Sequence, residues 1–280
     1  MNAQVKRSAL RATLIPILLV TTTAALRAQA PPPGPAWQVS AGVGALVAPT
    51  HVGSDELRVL PFPIVAVTYR DRVYLGPSAS GLGGGLGVRL VHTQRMDVAA
   101  EVGMLENRPA DRSDVLAGTA NRDVLGSVGA SLSYRAGPVE STLSVTQGIN
   151  DNGGLVGRAR VGYTRMLGQR LIASLDGSAS FANARQMRRE FGVTESESIR
   201  RMALIAAGDP RLRPDEGRSY RPGAGLTQIG TSMSLTYVLT QQVAVFGFGG
   251  ADRLSDEAAA SPLVRERAQF SGGLGLIWRP

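Results

Sequence analysis

The segment RLIASLDGSASF, residues 170–181, shows the clearest pattern in the chain. Apolar side chains alternate with polar or small ones along most of its length. One face carries Leu171, Ala173, Leu175, Ala179 and Phe181, and the other carries Arg170, Ser174, Asp176, Ser178 and Ser180. A period of two predicts a β-strand with one apolar face. Twelve residues are also enough for a tilted strand to cross a bilayer.

The same pattern recurs along the chain and predicts about twelve strands, with ten as a possible count. The predicted segments are 37–47, 58–69, 71–79, 82–92, 95–104, 123–135, 138–149, 155–167, 170–181, 225–239, 242–253 and 265–278. The second contains Pro61 and Pro63, which cannot donate to a ladder, so we expect an interruption or bulge there. An even number of strands places both termini at the same end of a closed barrel.

The predicted connections alternate in length. The five tight turns are 70–71, 92–95, 135–138, 167–170 and 239–242, and the long loops are 48–57, 105–122, 150–154, 183–223 and 254–264. Short periplasmic turns and long extracellular loops are typical of outer-membrane barrels. A predicted aromatic girdle at the short-turn side comprises Trp37, Tyr69, Tyr134, Tyr237 and Trp278. The sequence therefore predicts an all-β, transmembrane antiparallel β-barrel.

A secreted β-sandwich also alternates and is the main competing fold. The small, hydrophilic polar face favours a barrel with a wet lumen, and repeated alternation of short and long loops does not fit Greek-key connections. The last strand, with Phe270, Leu274, Leu276 and Trp278 on one face, is typical of barrel C-termini, although Arg279 and Pro280 follow it.

The first thirty residues read as a cleaved signal peptide. Lys6, Arg7 and Arg11 precede an uncharged stretch, 12–26, and Ala28-Gln29-Ala30 places cleavage after residue 28 or 30. A retained membrane anchor is the alternative. A Pro-rich leader at 31–36 then precedes the barrel, 37–280.

Composition and charge exclude several classes of protein. The net charge of +8 includes four basic residues from the signal peptide, and the remaining chain has 26 basic and 22 acidic residues, or +4. This weak excess argues against a nucleic-acid partner. There is no Cys, which excludes disulfide frameworks and thiol catalysis.

The sequence offers little material for catalysis, and we predict no catalytic residue, no cofactor and no metal site. There are two His residues, His51 and His92, and no zinc-protease motif. His51 lies near Ser54, Asp55 and Glu56, so a barrel hydrolase is a distant alternative. A polar surface loop is the favoured interpretation of this cluster.

Four segments resemble motifs of the MipA/OmpV outer-membrane proteins, in the family's order. They are PTHVGSDELRVLPFP at 49–63, EFGVT at 190–194, YRPGAGL at 220–226 and AAASPLV at 258–264. The matching loop residues are Pro49, Gly53, Ser54, Asp55, Phe191, Gly192, Val193, Ser261 and Pro262. Met187 follows Gln186 where relatives often have Tyr, which is a small departure.

The resemblance implies a non-enzymatic barrel in the bacterial outer membrane. It implies an envelope scaffold linked to a lytic transglycosylase and a peptidoglycan synthase, and it supplies no catalytic residues. A small passive, porin-like channel is the alternative, with a lumen lined by Arg89, Glu101, Glu140, Arg158, Arg160 and Asp176.

The long loop 183–223 contains nine Arg and six acidic residues. Because guanidinium groups bind phosphate in a fork, we predict lipopolysaccharide contacts at Arg188, Arg189, Arg200 and Arg201. The alternative is a solvated loop in which the charges pair internally.

Overall fold

The computed structural model describes residues 36–77, 84–105, 108–122, 125–149 and 153–280. The predicted signal peptide, 1–30, and nearly all of the predicted Pro-rich leader lie outside the described residues. The strands are β1 Trp37–Pro49, β2 Leu57–Tyr69, β3 Val73–Pro77, β4 Gly84–His92, β5 Met96–Leu105, β6 Leu125–Ala136, β7 Val139–Gly148, β8 Leu155–Leu167, β9 Leu171–Ala182, β10 Gly225–Val238, β11 Val243–Leu254 and β12 Ala268–Trp278.

The twelve strands form one closed antiparallel barrel. Each strand pairs with its neighbours in sequence, and β1 pairs with β12, with Val43 opposite Leu276. The sequence prediction of a twelve-stranded antiparallel barrel is therefore confirmed. Five connections of two to four residues lie at one end of the barrel, together with the start of β1 and the end of β12. We call this the short-turn end. The other connections lie at the long-loop end.

The outer surface of the barrel is apolar. Val43, Val59 and Leu274 are 67%, 68% and 66% exposed, while their sequence neighbours turn inward. An apolar belt of this extent is unstable in water and is the surface that a bilayer covers. The period-two alternation of the sequence thus follows from lipid on one side of the wall and the lumen on the other.

The expectation of an interrupted β2 is wrong. The strand pairs with β1 without a register shift through Pro61 and Pro63. Its other neighbour, β3, has only five residues and pairs only with Val67–Tyr69 of β2. The described part of β3 therefore forms no hydrogen bonds with β2 at the two prolines, so their missing backbone N–H groups cost no pairing with β3.

The lumen has two unlike sides. On the polar side, the Tyr74 hydroxyl donates to Glu101 at 2.5 Å, and Arg160 pairs with Asp176 at 2.7 Å. The small, hydrophilic inward face expected from sequence does not extend to β1, β2, β11 and β12, because inward side chains of these strands form an apolar patch. That patch comprises Leu46, Phe62, Ile64, Phe246, Phe248 and Ile277. Gly44 leaves space for the ring of Phe62 in this patch, since a Cβ on Gly44 would lie 2.5 Å from that ring.

The long-loop end contains helices that sequence periodicity did not predict. Loop 183–224 forms α1, Ala184–Phe191, and α2, Glu195–Ala206, and the last loop forms α3, Asp256–Ala259. Asn183 caps α1, and Thr194 with Glu197 forms a capping box on α2. Across the described residues, none of the helices has the length and apolar character needed to cross a membrane.

Candidate functional site

Four loops at the long-loop end pack into one folded layer. We call the described residues 50–56, 108–122, 183–224 and 255–267 the cap. Two apolar clusters hold it together, with members drawn from several loops and from the adjoining strand ends. The first comprises Ala182, Met187, Phe191, Leu254 and Ala258, and the second comprises Val115, Leu116, Val193 and Leu263.

Arg201 on α2 joins two of these loops from the inside. Its side chain has no exposed surface. The guanidinium donates to the carbonyl oxygens of Val115 and Ala117 at 2.6 and 2.9 Å, and to that of Glu216 at 2.8 Å. Hydrogen bonds from a charged donor are stronger than neutral ones, so Arg201 fixes the loop 108–122 against α2.

Glu197 makes a second connection between the same loops. Its carboxylate accepts from the backbone N–H of Ala120 at 2.8 Å and from Arg122 at 3.1 Å, and it also closes the capping box with Thr194. Burial by itself would raise the pKa of Glu197, but these hydrogen bonds and the charge of Arg122 hold the pKa below its ordinary value. The carboxylate is therefore stabilised in its charged form.

Arg265 connects the last loop, 255–267, to the cap loops 50–56 and 183–224. Its guanidinium donates to Glu216 at 2.7 Å, and its backbone N–H donates to the carbonyl of Gly53 at 2.8 Å. Asp55 lies 3.5 Å from Arg213 and 3.9 Å from Arg265. The cap loops 50–56, 183–224 and 255–267 are thus connected by charge as well as by packing.

The loop residues that carry the family resemblance lie in or beside the cap. The hydroxyl of Ser261 donates to the carbonyl of Phe191 at 2.6 Å, and Gly192 ends α1. Gly53 has a φ of +92°, and a Cβ there would lie 2.6 Å from Val264. Of the others, Ser54 and Val193 are buried. The structure brings the motif residues together as parts of one loop assembly; their role in function stays a prediction.

The His51 cluster does not form the arrangement that a hydrolase needs. The ring Nε2 lies 3.1 Å from the carbonyl oxygen of Leu263, and burial lowers the pKa of His51 to about 4. The Ser54 hydroxyl accepts from Thr50 at 2.7 Å, and Asp55 faces arginines. His51 therefore serves as a link within the cap. Among the described residues, no group of three or more His, Cys, Asp or Glu could hold a metal ion.

Two of the four arginines predicted to contact lipopolysaccharide are enclosed by protein. Arg189 and Arg201 are buried, so their guanidinium groups cannot reach a lipid phosphate, and this part of the prediction is corrected. Arg188 is half-buried and Arg200 is exposed, with one bond to the carbonyl of Gly118 at 3.1 Å. Sequence could not separate the two groups, because neighbouring residues of α1 and of α2 lie only about 100° apart around the helix, and contacts with distant loops decide which of them is enclosed.

A cavity of about 390 Å³ lies between the cap and the upper lumen. Its charged lining residues are Arg58, Arg108, Arg112, Arg158, Glu190 and Asp252. These four basic and two acidic side chains give the lining an excess of positive charge. Arg158 is predictable from strand alternation as a lumen residue, whereas Arg108 lies in a loop and carries no local motif.

A second cavity, of about 340 Å³, lies near the short-turn end. Arg135, Glu140, Arg160 and Asp176 line it, and they form the pairs Arg135–Glu140 and Arg160–Asp176. The predicted lumen residues Glu140, Arg160 and Asp176 therefore share one site, whose charges are largely compensated.

The rim of the short-turn end is basic. The short turns and the residues after β12 contain one acidic residue, Asp71, which accepts a hydrogen bond from Gln38 at 3.0 Å. The basic residues there are all exposed, and they are Arg70, Arg72, Arg95, Arg170 and Arg279. We call these five residues the basic rim. Such a surface attracts acidic groups on a partner.

The family model described as "MltA-interacting protein MipA" matches residues 41–280. No curated protein matches the chain significantly. Among solved structures, the NanC porin is 7% identical, with 86% of this chain and 98% of that chain covered and a TM-score of 0.42. OmpF of Salmonella typhi, in complex with daunomycin, is 10% identical, with 87% and 97% covered and a TM-score of 0.38.

Proposed function

The chain belongs to the MltA-interacting protein MipA family, and on that premise we propose that it is a non-enzymatic scaffold that docks a lytic transglycosylase at its periplasmic side. It is an outer-membrane β-barrel, with an apolar belt and a closed ladder in which every strand pairs with both of its neighbours. The family match over most of the chain is the observation that carries the proposal.

The basic rim supports a docking role for the short-turn end. In outer-membrane barrels the short turns are periplasmic, where peptidoglycan-remodelling enzymes act. Five exposed arginines against one aspartate favour a partner with an acidic surface. A peptidoglycan synthase would join the same complex as a second partner. The cap supports the same proposal, because loops fixed by buried ion pairs hinder free passage of solutes through the long-loop end.

A binding measurement tests the docking role. Refolded barrel is immobilised, and retention of the purified transglycosylase is measured for the wild type and for a variant with Arg70, Arg72 and Arg95 changed to Gln. The matched control changes Arg188 and Arg200, at the opposite end, to Gln. We expect retention to fall for the rim variant alone. No retention by the wild type would contradict the proposal. Equal retention by both variants would show that the basic rim is not the docking surface.

A small passive channel is the second candidate, favoured by one observation. Cavities lie in the lumen near both ends, and charged side chains line each of them. Ion conductance separates the two candidates, because a scaffold needs no continuous aqueous path.

Outer-membrane lipid is the surrounding partner in either case. For lipopolysaccharide, the exposed guanidinium of Arg200 and the half-buried Arg188 support a phosphate contact at the cap.

A further inference from the structure

Arg108 is a buried cation with no acceptor for its side chain. It is 6% exposed, and its Nε, Nη1 and Nη2 atoms are buried without a hydrogen-bond partner among the residues that the structure describes. Its backbone is held by a pair of hydrogen bonds to Arg122, at 2.8 and 3.0 Å. The side chain therefore extends from a backbone segment held in place within the cap, and it lines the cavity beneath the cap.

A buried guanidinium without a hydrogen-bond acceptor lowers the stability of the folded state. A buried charge normally has a hydrogen-bonded partner of opposite sign, because desolvation otherwise destabilises the folded state. Burial lowers the pKa of Arg108 to about 10, which still leaves the group charged at neutral pH. The cavity thus presents a charged donor fork that no group among the described residues satisfies.

The neighbouring acids do not complete this fork. Glu190 exerts the strongest acidic influence on Arg108 and lines the same cavity, but its carboxylate accepts from Gln186 at 3.0 Å and makes no hydrogen bond to Arg108. Glu197 also raises the pKa of Arg108, whereas Arg122 and Arg189 lower it, so the surrounding charges are mixed in sign. None of the described groups accepts a hydrogen bond from the fork, so an anion in the cavity would supply the acceptors that these charges do not provide.

We propose that this cavity binds a small solute whose carboxylate or phosphate group accepts hydrogen bonds from the Arg108 guanidinium. Two coplanar oxygens of either group match the fork. The volume of about 390 Å³ is within the range of small-molecule sites. Phe191 and Val156 add apolar wall beside the charged groups, so the site accommodates a carboxylate attached to a ring or short chain as well as a free phosphate.

Calorimetry on the refolded barrel in detergent tests the site with three probes. Inorganic phosphate and benzoate carry the two oxyanions, and benzamide is the uncharged counterpart of benzoate. We expect at least one anion to bind the wild type and benzamide to bind at least about tenfold more weakly than benzoate. Binding of phosphate alone assigns the site to phosphate groups, and binding of benzoate alone assigns it to carboxylates.

Arg108→Gln provides the decisive variant, and Arg200→Gln is the control with the same charge change on the exposed side of the cap. Arg108→Gln removes an unpaired buried charge, so it should fold at least as well as the wild type, as checked by its heat-dependent gel migration. We expect its affinity for the bound anion to fall at least about tenfold, with partial recovery in Arg108→Lys. Equal affinity in Arg108→Gln and wild type, or no binding of either anion to the wild type, would overturn the proposal.

Discussion

Replacement of Arg201 by Met should release the cap while leaving the barrel intact. Met fills a similar volume but removes the three hydrogen bonds to the carbonyls of Val115, Ala117 and Glu216. Each buried carbonyl that loses its donor costs about 1–3 kcal/mol, and relief of the buried charge offsets part of the total. We expect a net loss of about 3 kcal/mol for the packing of 108–122 against α2.

Hydrogen exchange measures this loss directly. A change of about 3 kcal/mol increases local opening roughly 100-fold. Peptides from 108–122 and from α2 should therefore exchange about 100-fold faster in the variant, while peptides from β7 and β8 should not change. Ladder hydrogen bonds of the barrel do not depend on Arg201.

Arg200→Met is the matched control, since Arg200 is exposed and makes one bond, to Gly118. Its effect on the same peptides should stay below about fivefold. If Arg201→Met exchanges no faster than this control, the assignment of Arg201 as the internal link of the cap is wrong.

Three further predictions concern orientation, pH and lipid. A tag inserted near Gly208 should be labelled on intact cells and a tag near Gly137 should not; the opposite result would invert the topology. Because burial lowers the pKa of His51 from 6.5 to about 4, its neutral form stabilises the cap fully above about pH 6.5, and this contribution is lost as pH falls toward 4. Local opening of the cap, measured as exchange corrected for the slower intrinsic rate at low pH, should rise over that range in the wild type. His51→Gln should lose this pH dependence, and a variant that keeps it in full would show that His51 is not its source. Lipopolysaccharide binding should weaken with salt and fall when Arg188 and Arg200 become Gln, and binding insensitive to both treatments would identify these side chains as solvated surface only.

The barrel was predictable from sequence because its constraints are local and periodic. A wall with lipid on one side imposes alternation on every strand, so segments such as 170–181 reveal the strand, its faces and its length. Turn lengths then give the order of short and long connections. The helices α1 and α2 were missed because their few apolar residues are spread among many charged ones, although Thr194 and Glu197 form a readable capping box.

The cap and its cavity were not predictable in the same way. Arg201 contacts a carbonyl 86 residues away, and nothing in its local sequence distinguishes it from Arg200. Arg108 likewise becomes a buried cation only when loops distant in sequence close around it. Sequence identified the family's motif residues, but their joint packing depends on these distant contacts.

Single-channel conductance tests the central claim, that a folded cap and a charge-filled lumen make this outer-membrane barrel a scaffold. Labelled wild-type protein is inserted into a planar bilayer, and a general porin recorded in the same membrane shows that open channels are detected. We predict that the bilayer contains labelled protein and shows no stable conductance steps. Regular, long-lived steps from the wild-type protein would contradict the scaffold and establish the barrel as a channel.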